Sequence, residues 1–121
     1  MHCLLPRFLL AGVLAAAGAT PSASQPICRP ALSVKRSAHF DMQNQQRRWT
    51  GVVAVDAARC ATAAGAFAIE FIRDKENAPV SAFTEWFTWT ADKTVVALEL
   101  ARDEWVDPNR IVEVAPCPCR E

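Results

Sequence analysis

Residues 82–101 read Ala-Phe-Thr-Glu-Trp-Phe-Thr-Trp-Thr-Ala-Asp-Lys-Thr-Val-Val-Ala-Leu-Glu-Leu-Ala. Two alternating patterns lie end to end in this stretch, and alternation with period two marks a strand that buries one face. In residues 82–90, Phe83, Phe87 and Trp89 align on one side, with Thr84, Trp86, Thr88 and Thr90 opposite. In residues 94–101, Val96, Leu98 and Leu100 align. Ala91-Asp92-Lys93, between the two patterns, suits a tight hairpin.

The same period recurs on either side. Residues 66–73 align Phe67, Ile69 and Phe71; residues 47–56 align Trp49, Val53 and Val55; residues 31–36 align Leu32 and Val34. Residues 110–115 align Val112 and Val114, or Ile111 and Ala115. Polar, proline-bearing separators stand between them: residues 74–79, and Asp107-Pro108-Asn109, where the fixed φ of proline suits the second position of a turn. Residues 57–65 are alanine-rich but carry no apolar stripe, so a loop or one helical turn ending at Gly65 is expected.

Six to seven short strands with no long amphipathic helix predict an all-β sandwich. The pattern resembles an immunoglobulin-like or fibronectin type III-like fold. That resemblance is architectural, because the Cys…Trp…Cys spacing of an antibody domain is absent.

Before this region stands a different kind of sequence. Arg7 precedes a 12-residue apolar run over residues 8–19, which is followed by small residues and a Pro/Ser segment. That order reads as a cleavable secretory signal helix, and the run falls short of the roughly 20 residues that span a bilayer. Ala17-Gly18-Ala19 offers a cleavage site, giving a signal peptide over residues 1–19; Ser22-Ala23-Ser24 offers a later one. Residues 20–26 then form a linker and residues 27–121 the domain. The expected location is periplasmic or extracellular, with no stable membrane span after processing.

Cys28, Cys60, Cys117 and Cys119 remain after processing, an even number that predicts two disulfides in an exported chain. Cys117 and Cys119 are separated by one proline. Residues two apart in an extended segment stand roughly 6–7 Å apart, too far for the ~3.8 Å between the Cβ atoms of a cystine. Each should therefore take a separate partner from Cys28 and Cys60, in either order.

Processing removes Arg7 and leaves 12 basic against 13 acidic residues, a net charge of −1. The basic residues are scattered, with only Lys35-Arg36 and Arg47-Arg48 as doublets of the kind usual at solvated strand ends. Nucleic acid and anionic membrane are not expected partners.

Catalytic constellations are thin. His39 is the only histidine after processing, no Gly-x-Ser-x-Gly surrounds any serine, and no Gly-rich phosphate loop exists. No cofactor is expected. The expectation is a non-enzymatic interaction or accessory domain that meets an unidentified protein or ligand at a sheet edge or an exposed aromatic patch. Trp86, flanked by Thr84 and Thr88, is the candidate contact. Two alternatives stand beside it. Cys117, Cys119 and His39 could ligate copper or zinc. Surface carboxylates, Glu70, Glu85, Glu99, Asp103, Glu104 and Asp107, could serve a small hydrolase, and Asp103-Glu104-x-x-Asp107 a calcium ion. Neither set has the spacing of a known site.

Overall fold

The computed structural model describes residues 26–121; the expected signal peptide and nearly all of the linker lie outside them. The described chain is all-β. Its strands are β1 (Ile27–Cys28), β2 (Ala31–Met42), β3 (Gln46–Asp56), β4 (Gly65–Lys75), β5 (Ser81–Trp89), β6 (Lys93–Ala101), β7 (Glu104–Val114) and β8 (Cys117–Pro118). Six long strands form two antiparallel three-stranded sheets, ordered β2-β3-β6 and β5-β4-β7, and β1 pairs with β8 in a short ribbon.

The inner faces of the two sheets meet in one core. Trp49, Val53 and Val55 come from β3, Phe67, Ile69 and Phe71 from β4, and Trp89, Val96, Leu100 and Val106 complete it. The alternation expected in β3, β4 and β5 places these residues inward, and burial of such side chains is worth roughly 1.5–3 kcal/mol each. Trp49 meets Phe71 edge to face, with ring centroids 4.9 Å apart.

Both glycines of the described region serve the tryptophans. A Cβ on Gly51 would stand 2.5 Å from the Trp49 ring, and one on Gly65 would stand 2.7 Å from the Trp89 indole nitrogen. Each indole lies where only a glycine lets the backbone come that close.

Three expectations are corrected. Ala91-Asp92-Lys93 does not close a hairpin, because β5 pairs with β4 while β6 pairs with β3, so the chain crosses between sheets there. The buried Thr94 shapes that corner: its Oγ1 accepts from the N–H groups of Thr90 and Ala91 and donates to the Ala91 carbonyl. Asp107-Pro108-Asn109 is not a turn but lies within β7, whose ladder with β4 skips Asn109 and Val112 as bulges. Proline fits because β7 is an edge strand, where one missing N–H costs no central ladder bond. The two bulges put Ile111 and Val114 together on the inner side, a pairing that strict alternation does not give. Of the two forms expected for residues 57–65, the loop is the one that forms. It is held by Cys60 N–H to the Ala57 carbonyl, Ala61 N–H to the Pro118 carbonyl and Arg120 N–H to the Arg59 carbonyl.

Both disulfides form. Cys28 joins Cys119 and Cys60 joins Cys117, so the adjacent C-terminal cysteines do take separate partners. They sit crosswise to the backbone pairing, since Cys28 is level with Cys117 and Cys60 with Cys119. Two such bridges indicate oxidising, non-cytoplasmic surroundings.

Candidate functional site

β5 is the most regular free edge of its sheet. It runs nine residues, pairs with β4 through an uninterrupted ladder, and among the described residues has no hydrogen-bonded strand on its other side. Its alternation holds as expected: Phe83 and Phe87 are half-buried and Trp89 is buried, while Thr84, Trp86 and Thr88 are exposed on the outer face. Trp86 is 52% exposed. Directly across the ladder stands Ala68, which points to the same outer face and yet is only 1% exposed. Half of the indole thus serves to cover a cross-strand neighbour, and the other half faces solvent. Glu85 occupies the inner row between Phe83 and Phe87 but stays exposed, because nothing lies beyond the edge. A charge on that row of an edge strand opposes indiscriminate sheet-to-sheet pairing.

The second cluster spans the opposite side of the sandwich, where β2 lies beside β7. The ladder between β2 and β3 slips at Lys35, and the bulge exchanges the two faces of β2. Leu32 and Val34 face inward before it. After it, Ser37 and His39 do so, opposite Gly51 and Trp49, and Phe40 is turned to solvent.

His39 then bridges the sheets. The Val106 N–H of β7 donates to its Nε2 at 3.2 Å, and its ring stacks on Trp105 with centroids 3.6 Å apart. Arg47 completes the cluster. It pairs with Asp41 at 3.0 Å, donates to the Glu104 carbonyl at 3.0 Å, and holds its guanidinium 5.7 Å from the Trp105 ring centroid. This arginine is therefore no solvated strand-end charge. Partial burial, then the Arg47 charge, lower the His39 pKa, with Asp107 opposing. The hydrogen bond agrees, since an amide donor needs the lone pair of a neutral imidazole.

The metal reading loses its geometry. The sulfurs of Cys117 and Cys119 are in disulfides. His39 lies eight residues along β2 from Ala31, about 25 Å of strand away from the cystine end. Among the described residues no three His, Cys, Asp or Glu side chains gather as a metal site.

The carboxylates are dispersed. Glu99 pairs with Arg48 at 2.6 Å on the outer face of one sheet, and Glu85 stands on the inner row of the other. Glu104 is engaged by Arg73 at 3.1 Å and by the Ala101 N–H at 2.7 Å, and Asp103 faces Lys75. Glu70 accepts from Asn109 and Arg110, which together hold its carboxyl below the usual range.

Sequence reading identified the Trp86 row and overlooked the His39–Trp105–Arg47 cluster. The only signal for that cluster was an isolated histidine on a strand, and its partner lies 67 residues away. Comparison of the chain with protein-family models, with curated proteins and with solved structures found no match.

Proposed function

We propose that this chain is an exported, non-enzymatic binding module that receives an extended segment of a partner along β5, with Trp86 as the anchor. The observation that carries the reading is the combination on one strand: a free, unbulged edge and a half-exposed tryptophan flanked by Thr84 and Thr88. Edge backbone groups give an added strand its hydrogen bonds, and an aromatic side chain gives it a place to pack. Export rests on the sequence of residues 1–19 and agrees with the two disulfides.

We also read the sandwich as immunoglobulin-like or fibronectin III-like. Naming β2 to β7 in order as A, B, C, C′, E and F makes the sheets A-B-E and C′-C-F, with no described strand in the place of G.

The test uses the processed protein as bait against the exported fraction of its source cell, beside Trp86→Ala and Trp86→Lys. Wild type should retain a partner, and the alanine variant should weaken capture by about thirtyfold, the size of an aromatic hot spot. Unchanged far-UV circular dichroism would show that the variants still fold. Equal capture by all three proteins, or capture by none, would overturn the reading.

A further inference from the structure

The seam between β2 and β7 holds a groove of about 480 Å³, within the roughly 300–1,000 Å³ range of small-molecule sites. Its rim carries Lys35, Arg36 and Arg110 with the polar Ser33, Ser37 and Asn109, and no carboxylate lines it. Leu32, Val34 and Ile111 form an apolar floor that packs on the core. Basic residues that look scattered in the sequence are gathered here by the fold. The bulge at Lys35 lies on one wall and the bulge at Asn109 on the other.

The charges are available to a ligand. Lys35 and Arg36 enter no ion pair among the described residues, and Arg110 shares Glu70 with Asn109 while its own side chain stays 68% exposed. Three cations and one neighbouring carboxylate leave a local excess of two positive charges in a domain that is otherwise near neutral. The walls are ill suited to a peptide strand, because both ladders are bulged and Pro108 has no N–H to offer. Recognition here must come from side chains. Two guanidinium forks, an ammonium and two hydroxyls are the donor set for a dianionic oxyanion, with the apolar floor left for the body that carries it.

We propose that this groove binds the phosphate monoester group of a small soluble molecule, at a site separate from the Trp86 edge. Lys35, Arg36 and Arg110 neutralise the oxyanion, and Ser33 and Ser37 orient it.

The experiment titrates the oxidised, processed protein with glucose 6-phosphate at constant ionic strength and follows backbone amides by NMR. Shifts should concentrate in residues 33–37 and 108–111. Glucose 6-sulfate, a monoanion of similar shape, should bind about tenfold more weakly, as should the single variants Lys35→Gln, Arg36→Gln and Arg110→Gln. Arg48→Gln, on the outer face of the other half of the sheet, should leave binding unchanged. A vesicle of phosphatidylcholine with phosphatidic acid should not sediment the protein. The proposal is overturned if the sulfate matches the phosphate, if the shifts lie elsewhere, or if the variants bind as wild type does. It is equally overturned if only the vesicle or an acidic peptide such as tetraglutamate binds, or if no probe binds.

Discussion

Where β2 lies beside β7, both strands are bulged, one carries a proline, and His39 reaches across to the Val106 amide. Where β5 lies beside β6, both ladders run without interruption, and the Thr94 corner at one end is the main polar stitch. The two sides of one sandwich thus treat free edges in different ways. Bulges and proline on the first side deny a neighbouring strand its ladder, so the seam can stay open as a polar groove. The second side keeps its backbone groups in register, and on β5 a single charge, Glu85, discourages unspecific pairing.

The largest effect that separates the sides should come from the cystines. Cys28–Cys119 closes a span of 91 residues and anchors the segment leading into β2, where Arg29 donates to the Val114 carbonyl of β7 at 2.8 Å. Chain entropy puts its contribution at about 4–5 kcal/mol. Cys28→Ser with Cys119→Ser should lower denaturant stability by that order. Hydrogen exchange should rise first in β2 and β7; uniform exchange across β5 and β6 as well would mean that the sides are not separable.

The glycine seats are the next test, since one lies in each sheet. Gly51→Ala pushes a methyl into the Trp49 ring and Gly65→Ala pushes one into the Trp89 indole. Overpacking of this kind costs about 1–3 kcal/mol, and both variants should show it in urea unfolding. A loss at Gly51 alone would place the rigid half of the core under β2 and β3.

The smallest difference is one of pH. The folded state favours neutral His39, so its contribution is complete above the unfolded value of 6.5 and is lost as pH falls from there through the lowered folded value. Burial and then Arg47 make the imidazolium less welcome, and Asp107 tempers that effect. Between about pH 7 and 5, the protection factor of the Val106 amide, its exchange rate corrected for the intrinsic pH dependence, should fall more than those of the β5 amides. His39→Gln should flatten that dependence, and a wild-type protection factor at Val106 that ignores pH would break the contrast.

The Trp86 edge was legible in the sequence because its ladder is regular. With no bulge, position parity alone decides which face each residue takes, and Phe83, Trp86 and Trp89 fall where alternation puts them. The β2–β7 side was not legible for the opposite reason. One inserted residue at Lys35 reverses every later assignment on β2, and bulges at Asn109 and Val112 reset β7 twice. Nothing local marks those positions. The expected corner at Ala91-Asp92-Lys93 failed similarly, because a short polar link can either fold a strand back or carry it to the opposite sheet.

By itself, the sequence determined the strand content, the inward residues of β3, β4 and β5, and the rule that Cys117 and Cys119 must bond to different partners. Each of these follows from chain geometry over a few residues. Only the tertiary structure decided which cystine forms, which strands are edges, that His39 meets Trp105, and that Lys35, Arg36 and Arg110 line one groove. Those outcomes depend on contacts between segments distant in the chain, and they are fixed by how the two sheets bury Trp49, Phe71 and Val106 between them.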